Sequence, residues 1–228
     1  MLWLIGIVLI GALIFGPTLW VKWVMRAYSD PIDGMPGTGG ELAVHLLRQN
    51  QVEQVGVEIT TLGDHYDPSD RMVRLTEAHY NGRSLTAVAI AAHEVGHAIQ
   101  HHQGDRSLAA RTALAPMAEK IARLSSAVIW GAPVVGLLTR HPVPFSALVL
   151  VGMSGLVARM MVHLFTLPTE WDASFGKALP MIEHGQYVAP GEEVAIRRIL
   201  RAAALTYFAG ALADILNLFR WAALLLRR

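Results

Sequence analysis

Residues 89–102 read AIAAHEVGHAIQHH, and the rest of the chain is read outward from them. His93, Glu94 and His97 follow the H-E-x-x-H pattern. On an α-helix, residues four apart lie one above the other on the same face. His93 and His97 therefore offer two imidazole nitrogens to one Zn²⁺ at about 2.0–2.1 Å each. Glu94, beside them, is placed to take a proton from a water that the ion has activated.

The surrounding residues predict that helix. Asn81-Gly82 reads as a turn and Ser84 as an N-cap, and Leu85 to Gln100 contains no Pro. His101 and His102 fall in the last turn, where cationic character suits the helix dipole, and Gly104 supplies the stop. Leu85 through Ala92 is apolar almost all round, which predicts a buried helix. A carboxylate there is costly without a partner, and a metal-activated water is one.

Composition sets the wider frame. Hydrophobic residues make up 53% and charged residues 16%, against about 25% charged in a typical soluble domain. With a mean hydropathy of +0.39, this points to a membrane protein. The net charge of +1 leaves no dominant basic face and argues against nucleic acid as a partner. The chain has no cysteine, which excludes disulfides, thiol nucleophiles and Cys-based structural zinc.

Leu2 to Val21 carries no charge and is long enough to cross a hydrocarbon core of about 30 Å, with Lys22 and Arg26 directly after it. Residues 1–26 are read as an N-terminal transmembrane anchor. A cleaved signal peptide, with Ala27-Tyr28-Ser29 at its end, is the weaker reading because no basic segment precedes the apolar run. Residues 27–123 form the expected catalytic region: a Pro- and Gly-rich linker (Asp30–Gly40), a short helix (Glu41–Gln49) and β-rich runs at Gln54–Thr61 and Arg71–Leu75 around a turn at Asp67-Pro68-Ser69. These predict a β-hairpin or small sheet just before the metal helix, whose strand edge can pair with an extended peptide.

Residues 124–167 are expected to form a transmembrane helical hairpin, with arms Leu124–Thr139 and Phe145–Leu167 and a tip at Arg140-His141-Pro142. Gly176 to Gly191, broken by Pro180, Gly185 and Pro190, reads as a loop. A last helix is expected from Glu192 through Leu226, in the membrane, with Asp214 and Arg220 paired or facing protein. The fold class is thus a mainly α membrane protein, with transmembrane helices plus a small zincin-like catalytic region.

Catalytic zinc needs a third protein ligand and an open position for water. In the pattern H-E-x-x-H-x-x-G-x-x-H, the Gly and last His positions hold Gln100 and Gln103 here, so that class fails. His101 shares the face of His93 but lies about 12 Å up the helix from it, too far for the same ion. His101, His102, His45 and His184 are read as surface or packing residues. The run Leu167-Pro168-Thr169-Glu170-Trp171-Asp172-Ala173-Ser174 supplies two carboxylates. A membrane hairpin between His97 and Glu170 crosses twice, which returns Glu170 to the side of the metal helix. Glu170 is assigned as the third ligand, with Asp172 as the alternative or as a carboxylate orienting a ligand histidine. Tyr66, Tyr80 and His65 are candidates for oxyanion stabilisation that read equally as packing residues, and His163 is a helix-interface or gating candidate.

HYDPSDRMVRLTEAHYNGRSLTAVAIAAHEVGHAIQH (65–101) and LPTEWDAS (167–174) resemble the bacterial neutral zinc metallopeptidase family of YugP-like membrane proteases. The second block matches that family's Leu-Pro-x-Glu-Phe-Asp-Ala-Ser, with Trp171 in place of Phe. The two blocks cover about a fifth of the chain. The resemblance implies an integral membrane zinc protease with His93 and His97 as ligands and Glu94 as base. Glu170-x-x-Ala173 is also similar to the Glu-x-x-Ala-Asp segment of heat-shock membrane proteases and CAAX-type endopeptidases, whose Glu is the third zinc ligand. Ser174 stands where their Asp would, and Asp172 is a candidate for that role.

The leading reading is a gluzincin-like zinc metalloendopeptidase that hydrolyses peptide bonds. A site-2-type intramembrane protease is an alternative, although only about 16 apolar-leaning residues surround the motif, under the usual minimum of roughly 17. A zinc-binding scaffold without catalysis is the third. The expected partners are a protein or peptide substrate and the lipid bilayer. Lys22, Arg26, Arg106, Arg111, Lys120, Arg123, Lys177, Arg197 and Arg198 share one side, with Arg140 alone opposite. By the positive-inside rule the chain is a multi-pass cell-membrane protein with a cytoplasmic catalytic side. Arg227-Arg228 conflicts with that if the last helix spans fully.

Overall fold

The computed structural model describes residues 2–226, so Arg227-Arg228 lies outside the described residues. The chain is mainly helical with one small sheet. Its elements are α1 (Leu2–Ala27), α2 (Gly39–Gln49), β1 (Gly56–Thr60), β2 (His65–Asp67), β3 (Met72–Thr76), α3 (Glu77–Tyr80), α4 (Leu85–His102), α5 (Arg106–Thr139) and α6 (Pro142–Trp171). A π-helical segment (Asp172–Ala178), α7 (Leu179–Gly185), α8 (Glu193–Ala204) and α9 (Thr206–Leu226) follow. They form two compact units. One takes Pro17–Ala109 and Leu167–Thr206, and the other takes the chain up to Gly16, Ala110–Thr166 and the chain from Tyr207 on.

In the first unit α4 is the central element, packed by α2, α8 and the π segment. Ser84 caps it, its hydroxyl accepting from the Ala87 N–H, and every residue from Leu85 to Gln100 is buried. Thr38 and Glu41 close a capping box on α2, each side chain accepting the other's backbone N–H. Leu42, Leu46 and Leu47 face the same core as Val88, Val95, Ile196, Ile199 and Leu200.

The sheet has the order β1-β3-β2. The hairpin expected between 54–61 and 71–75 is corrected: the antiparallel partner of β3 is β2, a strand the sequence did not announce, with Tyr66 opposite Val73. The run at 54–61 becomes β1, which lies parallel to the far side of β3, pairing Val57 with Val73 and Ile59 with Leu75. Side chains alternate across β3: Val73 and Leu75 are fully buried, while Arg74 on the other face binds Glu58, Asp67 and Asp70 at 2.6, 2.6 and 2.5 Å.

The expected loop over Gly176–Gly191 is corrected, because the chain stays helical to Gly185. Pro180 sits in the first turn of α7, where a missing N–H costs little. Ala178, Leu179 and Ile182 bury in the core, so packing outweighs the local breakers. The helix then ends at Gln186 in the left-handed conformation. The last helix is also not continuous: Leu205 interrupts it between α8 and α9.

In the second unit, α5 and α6 form the hairpin, turning at Arg140 (φ 52°). The two helices approach closely through small residues: a Cβ at Gly152 would lie 2.6 Å from the Ile129 Cβ, and one at Gly155 would overlap the Ser125 hydroxyl. Asp214 on α9 is fully buried and accepts both N–H groups of Arg159 on α6, with Nε at 3.0 Å from Oδ2. Among the described residues, three helical stretches are long and apolar enough to cross a membrane: Arg106–Thr139, Val143–Gly185 and Glu193–Ala223.

Candidate metal centre

The period of α4 stacks His93 over His97, with ring centroids 4.7 Å apart and the rings edge to face. Both rings and the Glu94 side chain are buried, at 4–6% exposure. The third group arrives from the end of α6, where Thr169 and Glu170 are 1% and 2% exposed. The π segment that follows lies directly on α4, and Gly96 allows the approach. A Cβ there would stand 2.7 Å from the Ala173 carbonyl oxygen. The glycine between the two histidines is thus the seat for the chain that carries the carboxylate. A π turn at such a place fits the tendency of these irregularities to occur at functional sites.

Glu170 Oε2 lies 3.2 Å from His93 Nε2 and 3.5 Å from His97 Nε2. Among the described residues, these form the group of three His, Cys, Asp or Glu side chains whose ligand atoms converge, all within 4.8 Å of one another. Donors bound tetrahedrally at 2.0–2.1 Å would stand about 3.3 Å apart. The observed separations bracket that value, so the donor set fits zinc in both chemistry and spacing.

The outer hydrogen bonds fix the histidines in the form a metal needs. Gln100 Nε2 donates to the Thr169 carbonyl at 2.9 Å and to Asp172 Oδ2 at 2.8 Å. The amide oxygen of Gln100 is therefore the atom facing His97 Nδ1, at 2.9 Å. It can only accept, so Nδ1 carries the proton and Nε2 keeps its lone pair. Ser174 Oγ stands 3.0 Å from His93 Nδ1 and fills the same place on the other ring. Glu170 Oε2, turned toward both Nε2 atoms, completes the set with a carboxylate oxygen.

The structure therefore brings His93, His97 and Glu170 together and leaves Asp172 outside the converging group, acting on His97 through Gln100. Asp172 reaches His97 only through Gln100, and Ser174 Oγ stands against His93 directly. Gln100 is the residue that sequence reasoning missed. It had only one visible signal, a polar side chain three residues past His97 on a buried helix.

The remaining candidates go elsewhere. Tyr66 bonds His101 at 2.7 Å, His102 bonds Gln54 at 2.9 Å and His45 bonds Tyr187 at 2.9 Å. His184 bonds the Pro180 carbonyl and His65 that of Gly63. The Tyr80 ring packs on Gly40. His163 belongs to the other unit, its Nε2 3.8 Å from Asp214 Oδ2 and its ring against Tyr207.

A family model described as "Putative neutral zinc metallopeptidase" matches residues 2–226. The chain is 34% identical over 212 residues to the "Putative membrane protease YugP" of Bacillus subtilis (strain 168), covering 90% of each chain. No solved structure matches. With the model spanning nearly its whole length, the chain belongs to the neutral zinc metallopeptidase family.

Proposed function

We propose that this protein is a membrane-embedded zinc metalloendopeptidase with a gluzincin-type, zincin-like site, in which His93, His97 and Glu170 hold the metal and Glu94 is the general base. The observation that carries the reading is the convergence of two imidazole Nε2 atoms on one Glu170 oxygen at 3.2 and 3.5 Å inside a buried core. Three protein donors leave room for water, as a catalytic site requires, whereas structural zinc takes four.

Zinc, when bound, lowers the pKa of a water toward about 7 and polarises a carbonyl. Glu94 accepts the proton of the water that attacks the peptide carbon and returns it to the leaving amine nitrogen. Gln100 and Ser174 keep the His97 and His93 rings oriented throughout, and Asp172 and the Thr169 carbonyl hold Gln100 in turn. A scaffold that kept zinc only for stability would have no use for Glu94.

The membrane reading rests on the three long apolar helices and on the membrane-protease name of the Bacillus relative. Leu124, Trp130, Leu137 and Leu138 of α5 and Leu150 of α6 are exposed, a surface suited to lipid. Residues 1–26 act as an anchor, 124–167 as the hairpin and α9 as a further span. The catalytic elements come from 27–123 and from the start of 168–228. The positive-inside rule, applied to the basic residues, supports a cytoplasmic site at the cell membrane acting on a protein or peptide substrate.

The test is Glu94→Gln in the purified full-length chain. The variant keeps one equivalent of zinc and loses cleavage of casein and of a transmembrane reporter. Retained cleavage would sink the assignment of the base.

A further inference from the structure

One turn beyond the metal centre, α4 ends beside a small polar pocket that the proteolytic reading does not use. The cavity, of about 130 Å³, is lined by Val52, Gln54, Val55, Tyr66, Arg71, Ala98, His101 and His102. We propose that this pocket, bounded by Arg71, His101 and His102, is a binding site for a small oxyanion, a carboxylate or phosphate group.

The hydrogen bonds around it decide the chemistry. The Tyr66 hydroxyl and His101 Nδ1 stand 2.7 Å apart, which commits that side of the His101 ring. Gln54 Nε2 donates to His102 Nδ1 at 2.9 Å. An amide nitrogen can only donate, so His102 accepts at Nδ1, carries its proton on Nε2 and has a donor to spare. Arg71 adds a guanidinium close enough to Tyr66 to act on its hydroxyl electrostatically, and among the described residues it makes no ion pair. The contrast is Arg74, three residues on, which is held by three carboxylates.

The pocket thus combines the Arg71 guanidinium and the His102 Nε2–H with an apolar floor of Val52, Val55 and Ala98, all buried. The volume suits one tetrahedral oxyanion, since a water's share of liquid volume is about 30 Å³. Asp67 also faces Tyr66, but it is committed to Arg74 at 2.6 Å and to the N–H groups of Ser69 and Asp70. The α4 carbonyls at this end are capped: the N–H groups of Gln103, Gly104 and Asp105 donate to Ile99, His101 and Gln100. A second metal ion is disfavoured. It would need the His102 Nε2 deprotonated, at the cost of the hydrogen bond from Gln54, and the adjacent His101 and His102 side chains diverge by about 100° on the helix.

The test uses the zinc-loaded full-length Glu94→Gln protein in detergent, titrated calorimetrically with inorganic phosphate at constant ionic strength. Saturable one-to-one binding is expected, weakened about tenfold or more by Arg71→Gln and by His102→Gln, with zinc content and thermal unfolding unchanged. A peptide with a free C-terminal carboxylate and its C-terminal amide then separate the sources. Competition by the carboxylate form alone assigns the pocket to a chain terminus, and binding of phosphate alone assigns it to a free anion. Three outcomes overturn the proposal: no saturable binding of either probe, unchanged binding in both folded variants, or a second zinc lost on His102→Gln. Because heat of binding is measured, none of these depends on peptidase activity.

Discussion

Gly96→Ala isolates the contact on which the metal centre is built. The added Cβ would meet the Ala173 oxygen at 2.7 Å and its carbonyl carbon and Cα at 3.3 Å. Comfortable non-bonded separations are about 3.5 Å, so the π segment must retreat by roughly half an ångström or more. Glu170 lies three residues before Ala173 in the same continuous helix and moves with it. Metal–ligand distances tolerate only about 0.2 Å. Two effects on the apo fold oppose each other: alanine gains about 1 kcal/mol in a helix interior, and overpacking costs about 1–3 kcal/mol. The folded apoprotein should therefore lose little, about 0–2 kcal/mol, while zinc affinity falls about 10–100-fold, as for lost ligand support. Competition against a chromophoric chelator measures the affinity, and thermal unfolding of the apoprotein measures the fold. A variant that binds zinc within about twofold of wild type would refute the claim that the Gly96–Ala173 approach sets the ligand geometry.

Gln100→Ala should also weaken zinc about 10–100-fold by releasing the His97 tautomer, read in the same competition, and Asp172→Asn should weaken it less because Thr169 still accepts from Gln100. Asp214→Ala leaves Arg159 without its buried partner and should destabilise the helical unit by about 3–5 kcal/mol. An Arg159→Leu/Asp214→Leu double variant should recover most of that in detergent unfolding. Asp64 is pulled up by burial but more strongly down by His79 at 2.7 Å and by the Thr76 N–H and hydroxyl, so its folded pKa lies below its ordinary value. Its contribution to stability is then complete above about pH 4, its unfolded range, and is lost as pH falls through the lower folded value. Asp64→Asn should flatten that acid limb, and an unchanged acid limb in equilibrium unfolding would count against it.

Legibility followed the range of the interaction. Ser84, Gly104 and the apolar run between them predicted α4 within two residues, because caps and burial pattern are local. The β-rich runs at 54–61 and 71–75 likewise predicted β1 and β3, because β propensity is local, but not the short β2 between them. The parallel pairing of β1 was not legible, because nothing local distinguishes parallel from antiparallel partners. Pro180 and Gly185 misled for the opposite reason: both are breakers by themselves, yet the segment stays helical because Ile182 and Leu179 bury on a core assembled from distant chain.

By itself the amino-acid sequence determined the pair of imidazoles a helical turn apart, the buried acid beside them and the region from which a third ligand would come. The first two follow from helix period and composition, and the third from the even number of membrane crossings and the family resemblance of residues 167–174. Only the tertiary structure decided that Glu170 rather than Asp172 meets the rings, and that Gln100 and Ser174 hold their outer nitrogens. Such choices turn on a few tenths of an ångström between residues some seventy positions apart, set by how closely two backbones approach at Gly96.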